Sequence, residues 1–210
     1  MTGRSSSHRL DLCAMELTHT QEQILDAAMS CIGRDGIDAA SMRNVAREAD
    51  VSLGLLSYHF DDKRSLIVAA FELSTSRLFN ASVISLIDVH GAEHRVRAYI
   101  RGAFRGEFLD PQYLALRLAL WAISRTDPEI ETVERHLYER YADQMIDLIA
   151  EACPHITRLE ARNRTTDVIV TQNGLWLNWA RHADHNDLER GLARCDDIAL
   201  RACSTPVKLL

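Results

Sequence analysis

A chain of 210 residues, 47% hydrophobic and 26% charged, is long enough to bury a full core as one large domain or two small ones. No apolar run of signal type precedes about Leu17, and the most apolar later segment, Tyr113 to Ile123, is broken by Arg117 and is far shorter than the roughly 20 residues of a membrane span, so the reading is cytoplasmic, with no membrane partner. Five cysteines without a CxxC pair predict reduced thiols in place of a disulfide framework or zinc knuckle, and a net charge of −6 rules out a basic footprint spread over the whole surface while leaving room for a local one.

Residues 1–17, with Ser5, Ser6 and Ser7 and no periodicity, read as a disordered arm, and Met15 could equally serve as a start. The pattern then turns helical. Thr18 with Gln21, and Thr20 with Gln23, both have capping-box spacing, and Ile24, Ala27, Ala28, Cys31 and Ile32 follow on one face before Gly36 stops the helix. Ser41 caps a short helix whose inner side is Met42, Val45, Ala46 and Ala49, and Ser52 caps another about three residues later. Two short helices so joined form a helix-turn-helix.

In such a pair the second helix lies in the major groove of DNA, held on its domain by a few inward residues. Leu56, Phe60 and Val51 are the inward set. Leu53, Gly54, Leu55, Ser57, Tyr58 and His59 are left for the groove: Gly54 for close backbone approach, Ser57 for hydrogen bonding, Leu53 or Leu55 for a thymine methyl, and Tyr58 and His59 for phosphate oxygens. Lys63 adds a cation at the start of the next helix, beside N–H groups expected to be free for phosphate. A Tyr-His-Phe run alone is more often a packing corner, but the capped helix pair and the following lysine reverse that reading.

Asp61 or Asp62 caps this next helix, which runs to roughly Val89 through Leu66, Ala69, Ala70, Leu73, Arg77 and Phe79. Gly91, Pro111, Pro128 and Pro154 divide the remainder into helix-length apolar segments, without strand alternation. The fold class is therefore all-α with about nine helices: a DNA-binding domain at 18–64, a helical effector-binding and dimerisation domain at 65–204, and a flexible tail at 205–210. Phe104, Phe108, Trp121, Met145 and Trp176 supply aromatic and soft apolar volume for a pocket, with Arg117 and Asn173 as polar groups. The same residues would serve an ordinary core. Tryptophan faces would suit a quaternary ammonium.

The run Ser41, Met42, Arg43, Val45, Ala46, Ala49, Val51, Ser52, Gly54, Leu56, Tyr58, His59, Phe60, Lys63 and Leu66 resembles the DNA-binding domain of tetracycline-repressor (TetR) type regulators in order and spacing. The resemblance implies that Arg43 faces the groove at the start of the first helix of the pair, and that Tyr58, His59 and Lys63 contact the backbone of double-stranded operator DNA. Asp50 stands where the family commonly has glycine, and aspartate tolerates a left-handed backbone better than most residues. From about Gly91 the chain is more loosely similar to the choline-responsive BetI-like group, through LALWAI (Leu118 to Ile123), Asp127-Pro128, Arg135 to Tyr141 and NGLWLNW (Asn173 to Trp179). That resemblance implies a homodimer formed by the last two helices, which carry Val168, Leu175, Leu188, Leu192, Ile198 and Leu200, and a repressor released by an unidentified small-molecule effector.

The loop group His182, Asp184 and His185 and the pair His90 and His94 lack metal-site spacing, so no cofactor is expected. Glu129 to Glu134 reads as a solvated helix face. No nucleophile motif supports an enzyme. The competing reading is a DNA-binding protein whose bundle only dimerises.

Overall fold

The computed structural model describes residues 17–203; the arm expected at residues 1–17 lies, apart from Leu17, outside them, as does the tail expected at 205–210. The described residues form nine α-helices and no strand.

Helix α1 (His19–Asp35) starts where the sequence places it. The Thr18 hydroxyl accepts from Gln21 N at 3.3 Å and the Gln21 side chain accepts from Thr18 N at 3.0 Å. Gly36, with φ +84°, ends the helix in the left-handed half of backbone space. Helix α2 (Met42–Glu48) is capped by Ser41, and α3 (Leu53–His59) by Ser52, whose hydroxyl accepts from Leu55 N at 3.0 Å. Between them Asp50 takes φ +51°, the conformation its residue type tolerates, and Gln23 of α1 donates to Ala49 O at 2.7 Å to pin the turn. Arg34 on α1 holds Glu48 on α2 with two hydrogen bonds, which pull the Glu48 carboxyl below its ordinary range.

Helix α4 (Lys63–Ile84) is buried nearly all round, Ser74, Thr75, Ser76 and Ser82 included, because it belongs to both cores. Its first half packs on α1 and shares the head core with α2 and α3; its second half packs on α5 (Ala92–Gly102) and α7 (Pro128–Ala152) and shares the bundle core with α8 (Arg158–His182) and α9 (His185–Ala199). The domain border expected at 64–65 falls in the first turn of this continuous helix. Leu116 and Leu120 of α6 (Pro111–Ser124) and Ile130 of α7 complete the head core, so the head is seated on the bundle by apolar contact. At Gly33 of α1 an added Cβ would lie 2.4 Å from Gln112 O of α6, a backbone approach only glycine permits.

Two expectations are corrected. Cys153, at the end of α7, forms a disulfide with Cys203, just beyond α9, with Cα atoms 4.7 Å apart across 50 residues of sequence; among the described residues reduced thiols remain at the buried Cys31 and Cys195, and Cys13 lies outside them. No local spacing announces this pair, since helix packing alone brings the two ends together. The apolar residues assigned to dimerisation are largely spent within the chain. Val168, Leu188 and Leu192 are buried in the bundle core and Leu175, Ile198 and Leu200 pack against it, while Leu159, Val170 and Leu177 form the exposed apolar stripe of α8.

Candidate functional site: an exposed reading helix and an aromatic cavity

Helix α3 divides as its pattern predicts. Leu56 is fully buried and Phe60 nearly so, whereas Tyr58 is 82% exposed. Ser52, Leu53, Gly54, Leu55 and Ser57 are also exposed. His59 is half-buried and meets the Tyr58 ring edge-on at 5.2 Å. Arg43 is exposed beside the half-buried cap Ser41, and among the described residues it holds no ion pair.

The start of α4 departs from expectation. Asp62 is the N-cap: its carboxylate accepts from Ser65 N at 2.7 Å, and the backbone and side chain of Ser65 hold its carboxyl below the ordinary range. The N–H groups expected to be free for phosphate are thus partly used by the protein's own anion. Lys63 stays half-exposed, donating to Asp38 O at 3.3 Å.

Within the bundle a cavity of about 130 Å³ opens between α4, α6, α7 and α8. Trp121, Trp176, Tyr138, Tyr141 and Phe79 supply aromatic surface, and Arg117, Glu134, Gln172, Asn173 and Thr75 supply polar groups. Arg117 lies 5.3 Å from the Trp121 ring centre and 5.9 Å from that of Phe71, donates to Thr75 Oγ1 at 3.3 Å and pairs with Glu134 at 3.7 Å. Trp121 Nε1 donates to Glu134 Oε1 at 2.9 Å, while Glu134 Oε2 is buried without a partner. Tyr141 and Gln172 are hydrogen-bonded, and burial drives the Tyr141 phenol far above its ordinary value, so it stays protonated.

Four of the expected pocket residues, Arg117, Trp121, Asn173 and Trp176, therefore meet in one cavity. Phe104 lies outside its lining and supports Trp176 with ring centres 5.3 Å apart, Met145 is fully buried core, and Phe108 lines a second cavity. Reading Glu129 to Glu134 as wholly solvated fails at its last residue. Glu129 and Glu131 are exposed, but Glu134 turns inward because Ile130, four residues earlier, anchors that side of α7 to the head core. The spacing Glu134, Tyr138, Tyr141 was the available signal for this wall. Among the described residues no group of three or more His, Cys, Asp and Glu could hold a metal; Asp184 instead caps α9.

Residues 24–70 match the family described as bacterial regulatory proteins, tetR family. Residues 92–204, more than half of the chain, match the family described as BetI-type transcriptional repressor, C-terminal. The chain belongs to the TetR family of transcriptional regulators. Among its TetR-family relatives, an HTH-type transcriptional regulator BetI of Serratia proteamaculans is 28% identical over 166 residues, covering 76% of this chain and 80% of the relative. BetI of Escherichia coli is 28% identical over 162 residues, covering 76% and 82%. A putative transcriptional regulator of Pseudomonas aeruginosa PAO1 superposes with TM-score 0.75 at 26% identity, covering 88% and 92%. A putative transcriptional regulator of Saccharomonospora viridis, solved in complex with choline, shares the fold with TM-score 0.72 at 17% identity, covering 86% and 95%. The two BetI relatives are transcriptional regulators. No helix of the described residues is long and apolar enough to cross a membrane.

Proposed function

We propose that this regulator is a cytoplasmic dimeric repressor that binds a palindromic operator and is released when a small cationic effector occupies the aromatic cavity. The observation that carries the DNA half is Tyr58, 82% exposed on α3 directly behind the fully buried Leu56. Leu53 and Leu55 on the same short helix are exposed with it, and an exposed apolar patch of this kind supports a contact with another molecule. Tyr58, His59 and Lys63 would then hold phosphate while Arg43 faces the groove from the start of α2 and Leu53, Gly54, Leu55 and Ser57 meet base edges.

Dimerisation is supported by Leu159, Val170 and Leu177 on α8, an apolar line left exposed among the described residues. A two-fold axis there would set two α3 helices side by side for an inverted repeat.

The effector reading rests on cavity chemistry. The Trp176 indole and the Tyr138 phenol attract a cation, the Trp121 face being covered by Arg117, and the unpartnered Glu134 Oε2 offers it an opposite charge. The small volume selects a compact molecule, and choline, present in the Saccharomonospora neighbour, is the first to test. Coupling requires that the ligand prefer the conformation that binds DNA poorly. Fluorescence anisotropy of operator DNA with added choline tests this: release of DNA is expected, and unchanged binding at saturating choline contradicts choline as effector.

A further inference from the structure

A second and larger cavity, of about 700 Å³, lies where the reading head meets the bundle, between α1, α4, α6 and the α5–α6 connection. We propose that it is a second ligand site, for a small amphipathic carboxylate, independent of the aromatic cavity.

Its interior carries an unmet chemical demand. Ser74 is 1% exposed, its hydroxyl is buried without a hydrogen-bond partner, and it lines this cavity. The Tyr113 hydroxyl, close to the Ser74 hydroxyl but without hydrogen-bond geometry to it, is likewise buried, unpartnered and in the lining. Two orphaned hydroxyls at one place are costly unless something accepts from them. Burial raises the Tyr113 phenol above its ordinary value, so it remains a donor at neutral pH. An oxygen of the ligand, accepting from both hydroxyls, satisfies the pair.

The remaining walls define the rest of the molecule. Met29, Ile84, Phe108 and Leu116 offer an apolar channel for a hydrocarbon body. At the rim Arg105 is exposed and without an ion pair among the described residues, while the rim carboxylate of Asp110 is occupied in capping α6 at Gln112 N, 2.8 Å away. The rim's other acid, Glu107, is exposed to water, where its repulsion of an anion is screened. The volume is within the range of ordinary small-molecule sites.

Position gives the site a regulatory role. Its walls include Met29 on α1 and Tyr113 on α6, beside the tight approach of Gly33 to Gln112. Filling it bears on the contact that fixes the head angle. The Tyr113 ring also lies 5.8 Å from the Trp176 ring, which lines the first cavity, so the two sites adjoin without a lining residue in common.

Sodium decanoate is the probe, titrated calorimetrically into the full chain up to about 1 mM, the range of weak small-molecule binding. Saturable binding is expected. Ser74→Ala and Tyr113→Phe should each weaken it about tenfold, Arg105→Ala should weaken it less, and Glu134→Gln, in the other cavity, should leave it unchanged. Without ligand, Tyr113→Phe should melt no lower than the parent, because it deletes an unsatisfied hydroxyl. Choline binding retained by Tyr113→Phe separates the fate of this site from that of the aromatic cavity. Absence of saturable decanoate binding, loss of it in Glu134→Gln but not in Tyr113→Phe, or a lowered melting temperature for ligand-free Tyr113→Phe overturns the proposal.

Discussion

Arg64 and Asp127 meet in a two-pronged pair, Nε to Oδ2 and Nη2 to Oδ1, both at 2.9 Å, which joins the first turn of α4 to the N-cap of α7. The same carboxylate accepts from Glu129 N at 3.0 Å and Ile130 N at 3.4 Å. One side chain thus caps the helix that bears Glu134 and grips the helix that leaves the reading head. The Arg64 bonds hold the Asp127 carboxyl well below the usual value near 3.9.

This linkage predicts a pH dependence. A depressed carboxyl contributes stability that is fully present above its unfolded value and is lost as pH falls through the acid range below about 3.9. Asp127→Ala should melt several degrees below the parent at pH 7, and the gap should narrow as pH is lowered below 4. A gap constant from pH 7 to pH 3 would assign the loss to something other than the charge of this carboxylate.

The reading surface predicts two kinds of defect. Lys63→Ala should weaken binding to all duplexes alike and reduce the slope of log affinity against log salt by about 1. Leu55→Ala or Ser57→Ala should change base preference by about 1–3 kcal/mol at one position and leave the slope alone. Anisotropy over a salt series separates the two.

In the aromatic cavity Glu134→Gln keeps the shape and removes the charge. Choline affinity should fall about tenfold or more, since the quaternary ammonium, which has no N–H to donate, loses a coulombic attraction of about 4 kcal/mol at about 4 Å and an effective dielectric of about 20. Calorimetric titration of parent and variant checks this, and equal affinities would remove Glu134 from the ligand's surroundings.

The thiols should divide sharply in reactivity. Burial and the nearby Asp196 push the Cys195 thiol up to about 11, so at pH 8 it stays protonated and should resist iodoacetamide until the chain unfolds. A digest made without reductant should contain one peptide joining Cys153 to Cys203. Mass mapping reads both outcomes.

Much of the head was legible because its signals are local. Ser41, Ser52 and the pair Thr18 and Gln21 are side chains bonding to backbone within four residues, and the inward-outward split of α3 follows from Leu56 and Phe60 alone. The cavity was half legible: Trp121 and Trp176 announce bulk, but which face of α7 turns inward depends on where Ile130 docks, a contact with another domain core. Glu134 and Tyr138 were hidden for that reason. The disulfide was invisible because its partners stand 50 residues apart and meet only after α7, α8 and α9 have packed.

Selection of binding sites from a pool of random-sequence duplexes reads the proposed pair of α3 helices without intermediaries. Enrichment of an inverted repeat is expected, with half-sites about one helical turn apart or slightly more, and enrichment should be abolished in Tyr58→Ala. Enrichment of a single asymmetric site, or the same repeat recovered undiminished by Tyr58→Ala, would contradict reading by paired α3 helices.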